Sequence, residues 1–518
     1  MRKLSKIISL VLVISLVFSL IGCSNSDEEK SVIYNTTTLI HNIDPQLANN
    51  ETEFQIVYNT FEGLFKYNEK SEIVNGVVDS YKVKNNGLTY EFKLKSDIKW
   101  ANGEPLTAYD FEFGFRRAVD KNINSPYSYL LLPIKNAEKI LKGKMKANKI
   151  GVKAINDKEL KITLDYPAEN FLEILTMPIS MPCNEEFYTQ CKGYYGLDED
   201  KILNNGFYSV KNWNEEYCSL IKNDNYNGFE SLTTAVFIYF NDNESFIESM
   251  NKNEVNFSIL TNKLTNEIIK KKSIKTKKIS DTTNSLFINK NSLIAEDNIL
   301  SALYSSIDFD INDEQNELYG INRTNFILPS IVENHDKLKI TNSKKLSDED
   351  MKKSFIVGCE NLDIDLSFPA ISIIYIDDII TENIAKQIAA KWQLDFGVTV
   401  NIKPLNDINE LSYNIKNGYF DAVIFPSTAQ SDSASLFFQQ FSSSFKNNYI
   451  GYKNSSFDKN LKKLNKTNDK IKTIQKLNDK ICNNKYIYPL FESSKLYYLD
   501  DNTNIFINEK NKIAYFYY

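Results

Sequence analysis

The chain has 518 residues, enough for two or three cores at the roughly 100–200 residues one domain usually holds. Its residues are 42% hydrophobic, 13% aromatic and 25% charged, with the charges spread among the apolar positions, which excludes wholesale disorder. Net charge is −6 with no lysine-arginine stripe, so a nucleic-acid partner is excluded. At the start, Arg2, Lys3 and Lys6 precede an apolar and serine run from Ile7 to Ile21. That run is short of the about 20 residues of a membrane span and fits the h-region of an export signal. Removing residues 1–22 takes away those three cations and no acids, giving −6 − 3 = −9. The acidic, polar stretch from Ser24 to Lys30 reads as a flexible tether.

The export run closes on Leu20-Ile21-Gly22-Cys23, which resembles the lipobox of bacterial lipoproteins. There the cysteine thiol receives diacylglycerol and becomes the new N-terminus. The resemblance implies lipidation at Cys23 and a lipid anchor at the extracytoplasmic face of the cell membrane. The other cysteines are Cys183, Cys191, Cys218, Cys359 and Cys482, an odd number without a CxxC pair, which argues against a disulfide framework. Cys183 and Cys191 flank a predicted helix that holds them roughly 12 Å apart, beyond the about 7 Å that a disulfide spans. Most of these cysteines therefore read as small buried hydrophobes.

In chain order, Ser31 to Tyr34 is expected at the edge of a sheet, and Ile43-Asp44-Pro45-Gln46 forms a turn. A helix beginning near Glu53 runs to the Thr60–Phe65 stretch, with Gly63 expected as a left-handed cap. Tyr90, Phe92 and Leu94 alternate with Glu91, Lys93 and Lys95, the period of a half-buried strand. Asn102-Gly103 turns the chain, and Thr107 with Asp110 has the spacing of a capping box opening a helix to Val119. A second alternating strand follows at Leu160–Leu164.

Read together, Tyr90 to Asp120 resembles the signature segment of the oligopeptide- and dipeptide-binding proteins that feed ABC importers. That family's pattern is YTFxLRxGVKWxDGxPxTAxDFxxxxxRxxD, which Trp100, Gly103, Pro105, Thr107, Ala108, Asp110, Phe111 and Arg117 match. Ile43–Pro45 and Glu62–Leu64 match the family's opening, and Ser125-Pro126-Tyr127 its SPY segment. The likeness is dense before Tyr226 and patchy after it. It implies an α/β, two-lobed periplasmic-binding-protein-like fold of type II, cluster C, with an extra subdomain in the first lobe and hinge strands between lobes. The expected division is 1–22 signal peptide and 23–30 tether; 31–61, 190–280 and 489–518 lobe 1; 62–189 the extra subdomain; 281–488 lobe 2. In lobe 2, Ile371–Ile376 is a strand, Glu382–Phe396 an amphipathic helix closed by Gly397, and Val398–Ile402 the next strand. Asn284–Asn289 and Tyr486–Leu490 resemble the strands that cross between lobes.

Catalytic chemistry lacks its parts. The histidines, His41 and His335, sit in no zinc spacing, and GxSxG, Walker and GxGxxG motifs are absent. No enzyme, metal or cofactor is expected. The resemblance implies instead an oligopeptide held in extended form in a cleft that closes about a hinge, handed to an ABC permease and ATPase, with the binding protein a monomer. Alternatives are a dipeptide, a signalling peptide, a nickel chelate, a sugar, or a surface adhesin or sensor. By the same resemblance Asn49, Glu51 and Tyr127 face the ligand from lobe 1. From lobe 2, Pro426, Thr428, Gln430 and Asp432 stand in the segment where relatives carry GWxxDYxxP, whose aspartate takes the ligand's α-ammonium. Gln430 replaces that aspartate. A buried ammonium needs a paired charge, so either Asp432 takes it or the ligand has no free α-amine.

Overall fold

The structure is a computed structural model describing residues 31–36, 38–226, 234–240, 242–260, 265, 276–340, 345–364, 368–445, 448, 450–464, 467, 469–500 and 505–516. Cys23, the export segment and the tether lie outside the described residues.

Two 13-residue strands, β12 (Thr276–Ile288) and β17 (Ile487–Leu499), run antiparallel through the middle of an eleven-stranded sheet. On one side β17 pairs with β11 (Phe257–Leu260), and the sheet continues through β1 (Ser31–Thr36), β10 (Thr234–Tyr239), β9 (Tyr217–Lys222) and β8 (Tyr208–Asn214). On the other, β12 pairs with β16 (Ala422–Thr428), followed by β14 (Ile371–Ile376) and β15 (Val400–Leu405). A two-residue strand, β13 (Asn322–Arg323), also pairs with β17. These two wings are the cores of the two lobes. At about 3.3 Å per residue the hinge strands are each roughly 40 Å long, long enough to belong to both. Their register shifts between Ser280 and Thr282, leaving Asp281 as the extra residue of a bulge, the irregularity that bends a strand.

The first lobe carries a four-stranded sheet in the order β4 (Val78–Lys84), β5 (Thr89–Leu94), β7 (Glu159–Thr163), β6 (Val152–Asn156). The Ala108–Ala118 helix lies against it, with Phe111, Phe115 and Ala118 fully buried. Asp110 accepts from the Thr107 amide at 2.7 Å and its hydroxyl at 2.9 Å, closing the capping box. Gly114 lets this helix approach the chain at Met181, since a Cβ there would stand 2.5 Å from the Met181 carbonyl oxygen. Trp100, Phe92 and Leu94 share one apolar cluster with Tyr34, Phe237 and Phe257 of the large sheet, so subdomain and lobe 1 have a common core. Lobe 2 has two clusters, one around Trp392, Ile373 and Leu286, the other around Phe438, Phe457 and Ile474. Two short hairpins complete the sheets: β2 (Phe65–Tyr67) with β3 (Ile73–Asn75), and β18 (Phe506–Ile507) with β19 (Ala514–Tyr515).

Three local expectations are corrected. The strand from Ser31 is interior, paired in parallel with β10 and β11; its neighbours come from some 200 residues later, roughly the separation Asn35–Ser258 spans, and no local pattern reports them. The Glu51–Thr60 helix ends on Phe61 in extended conformation, and Gly63 is not among the left-handed glycines. Gly63 is small because a Cβ there would meet the Leu175 carbonyl at 3.1 Å. The strand expected at Val398–Ile402 is Val400–Leu405, displaced by the left-handed Gly397 cap before it. Cys183, Cys191, Cys218 and Cys359 are buried free thiols, and Cys482 is half-buried.

Candidate ligand-binding cleft

The lobe-2 wall grows out of β16. Pro426 stands opposite Asn284 of β12, and Thr428 opposite Thr282, their hydroxyls 3.0 Å apart. On its other side β16 pairs with β14 only from Ala422 to Ile424, so the missing N–H of Pro426 costs no ladder bond. The Ala429 amide still donates to the Asp281 carbonyl at 2.8 Å. The chain then leaves the sheet through Gln430, Ser431 and Asp432 to the Ala434–Gln439 helix, capped by Ser433.

The lobe-1 wall is the Glu51–Thr60 helix, the Tyr127 loop and the Asn508–Ile513 loop of the last hairpin. Asn50 caps the helix by accepting from the Glu53 amide at 2.9 Å. The buried Glu53 carboxylate accepts in turn from the amides of Asn42 and Asn49. Gln55 and Asn59 bind the backbone of Ala514, fastening the last hairpin to this helix. In the hairpin loop Asn508 accepts from the Lys510 and Asn511 amides at 2.9 and 3.0 Å. Lys512 adopts a left-handed φ of 62°.

The lobes touch across the cleft. Lys512 donates to the Ala429 carbonyl, Lys510 pairs with Asp432 at 3.1 Å, Lys470 pairs with Glu169 at 2.5 Å, and Tyr129 meets Phe445 edge-on at 4.5 Å. A compartment of about 680 Å³ lies on the Asp432 and Lys510 side, lined also by Lys277, Ile331 and Phe506. Its size is within the about 300–1,000 Å³ of small-ligand sites. A smaller one, about 60 Å³, is lined by Phe54, Tyr127, Tyr129, Gln430 and Leu436.

At the hinge bulge, Asp281 pairs with Lys512 at 2.7 Å and stands 4.0 Å from Lys495, which holds Glu51 at 2.7 Å. Burial alone would raise the Asp281 carboxyl, but the two lysines outweigh it and hold it below the usual carboxylate range. Burial pushes Lys512 down, and Asp281 only partly offsets this. Glu173, buried behind Ser431, is pushed by burial up to about 8, and its Oε1 has no hydrogen-bond partner among the described residues.

The structure brings Tyr127 and Gln430 into one compartment and Asp432 into the other. Tyr127 packs on Phe54 with ring centroids 5.4 Å apart. Asn49 is exposed, its amide held by Glu53. Glu51 is engaged by Lys495, and Pro426 and Thr428 lie within β16. Lys510, Lys512, Lys495, Asp281 and Glu173 escaped the sequence reading. A usable signal existed for one of them: Lys495, like Glu492, places a charge in the mostly apolar and small-polar run from Leu490 to Tyr498, where a charge asks for a buried partner.

Residues 72–449 match the family model of the bacterial extracellular solute-binding proteins, family 5 Middle. The oligopeptide-binding protein OppA of Bacillus subtilis is 34% identical over 237 residues, 44% of this chain and 44% of the relative, so the match spans less than half the relative's length. Among solved structures, Haemophilus influenzae OppA in complex with RPPGFSPFR aligns over 95% of this chain and 99% of its own at TM-score 0.81 and 20% identity. The unliganded open form of the murein tripeptide-binding protein MppA aligns over 95% and 98% at TM-score 0.69 and 21% identity. Among the described residues no helix is long and apolar enough to cross a membrane, and no group of potential metal ligands gathers.

Proposed function

Since the chain belongs to the bacterial extracellular solute-binding proteins of family 5, we propose that it captures oligopeptides between its lobes outside the cytoplasmic membrane and hands them to an ABC permease driven by a separate ATPase. The observation that carries this reading is the pair of walls across the β12–β17 hinge. One is the Pro426–Asp432 segment leaving a sheet, and the other an aromatic surface of Phe54, Tyr127 and Tyr129. Backbone groups at a strand end recognise what all peptides share, while aromatic and hydrated pockets accept varied side chains. Closure about the hinge then follows from contacts made on both lobes at once. In this reading Cys23 carries the lipid anchor, the protein works as a monomer, and Asn49, Glu51, Tyr127, Pro426, Thr428, Gln430 and Asp432 border the ligand. The printed names of the relatives, oligopeptide- and dipeptide-binding proteins, support the ligand class.

The test is native mass spectrometry of the purified protein, followed by thermal shift with short peptides. A ligand bound only by the folded state raises its apparent stability by about 2.7 kcal/mol at a hundredfold excess over Kd. Co-purifying peptide masses or peptide-dependent shifts are expected. Absence of both, with shifts from a sugar or a nickel chelate instead, would overturn the peptide assignment and leave the fold standing.

A further inference from the structure

At the hinge and along the larger compartment, four carboxylates are paired with lysines: Glu51 with Lys495, Asp281 with Lys512, Asp432 with Lys510 and Glu509 with Lys277. Asp432 lies on the lobe-2 segment that leaves β16, and its cation comes from lobe 1. Lys510 is brought there by the Asn508–Ile513 loop, whose turn is set by the buried Asn508 accepting from two consecutive amides. Two residues on, Lys512 reaches past Asp281 to the Ala429 carbonyl. Thus two ammonium groups of the chain itself occupy a carbonyl and a carboxylate on the lobe-2 segment, the acceptors that an N–H and an α-ammonium at a peptide's N-terminal end would seek. Gln430 between them adds no charge. Glu173 behind Ser431 is buried and adds none near neutrality. A further ammonium arriving at these acceptors would face Lys510 and Lys512, with Asp432 and Asp281 already paired; the other carboxylates nearby are the exposed Glu69, which lines the same compartment, and Glu333, whose amide donates to the Asp432 carbonyl.

We propose that Lys510 determines specificity at the ligand's N-terminal end: by occupying Asp432 it makes the cleft close on peptides whose terminal nitrogen is acylated or otherwise uncharged, in preference to those with a free α-ammonium. The inference rests on the peptide reading above. Lys510 and Asp432 are partly exposed, 39% and 29%, so substituting either leaves the core intact, and a thermal midpoint for each variant verifies this.

The experiment is calorimetric titration of the wild-type protein and of Lys510→Met, Lys510→Arg and Asp432→Asn with matched short peptides, N-acetylated or free. The expected result is a wild-type preference for the acetylated peptide of about tenfold or more, a shift of about tenfold toward the free amine in Lys510→Met, and retention of the wild-type order in Lys510→Arg. Asp432→Asn combined with Lys510→Met is expected to lose the gain for the free amine. A wild-type ratio near one, a wild-type preference for the free amine, or a ratio unmoved by Lys510→Met overturns the proposal while leaving peptide binding intact. Failure of every variant to bind either peptide overturns the peptide reading, and this proposal with it.

Discussion

Arg117 and Lys512 are both buried cations paired with a buried aspartate, yet they join different things. Arg117 binds both oxygens of Asp44, the Gln46 amide oxygen at 2.6 Å and Cys183, with its guanidinium 4.1 Å from the Tyr188 ring centroid. All these partners belong to lobe 1 and its subdomain, which share one apolar cluster. Lobe movement leaves this site untouched. Lys512 meets Asp281 at the hinge bulge and the Ala429 carbonyl of the other lobe, so part of its bonding must break when the lobes separate. Burial by itself does not separate a structural ion pair from one that reports closure; the membership of its partners does.

The largest expected effect tests the structural member. Arg117→Met leaves Asp44 buried without its cation, which costs about 3–5 kcal/mol, read as a fall in unfolding free energy in urea. Ligand affinity of the folded fraction is expected to stay within about threefold. Lost affinity at undiminished stability would break the comparison.

Glu173 sharpens it through pH. In the folded protein this carboxyl keeps its proton up to about 8, whereas unfolded it titrates near an ordinary glutamate at about 4.3. Between those values the unfolded state binds fewer protons, so stability falls as pH rises. Glu173→Gln removes that loss. Its advantage over wild type is expected to be near zero at acid pH, to grow through the window and to level off above about pH 8 at a few kcal/mol. Thermal unfolding across pH measures this, and a difference independent of pH would refute the buried protonated state.

Lys512→Met comes next. Asp281 keeps Lys495 at 4.0 Å, so a cost of about 1–3 kcal/mol is expected, smaller than at Arg117. The accompanying change is a larger radius of gyration by solution scattering, because a bond between lobes is gone. An unchanged radius would place Lys512 with Arg117 among structural pairs. The smallest effect is Asn50→Ala, which removes the helix cap under the lobe-1 wall and costs about 1 kcal/mol without altering lobe separation. A change in the radius there would show that the cap also governs closure.

Much of the frame was legible in the residues. The strand at Tyr90–Leu94, the Gly103 turn and the Thr107–Asp110 box were readable because periodicity and capping act over a few residues. Asp44 and Arg117 were visible as motif positions, but not as partners 73 residues apart. The candidate cleft was half readable. Tyr127, Gln430 and Asp432 were singled out as candidates by likeness to a family, while Lys510 and Lys512 look in sequence like ordinary surface lysines near the chain end.

By itself, then, the sequence determined the fold class, the main elements of the first lobe and the family, since these rest on local spacing and on motifs contiguous along the chain. Only the tertiary structure decided that β1 is interior, that Asp281 sits in a bulge facing a lysine 231 residues away, and that Lys510 covers Asp432. Each of these is a meeting of segments distant in the chain, set by sheet order and hairpin geometry. The energetic consequence of burying a charge exists only once its partner has arrived.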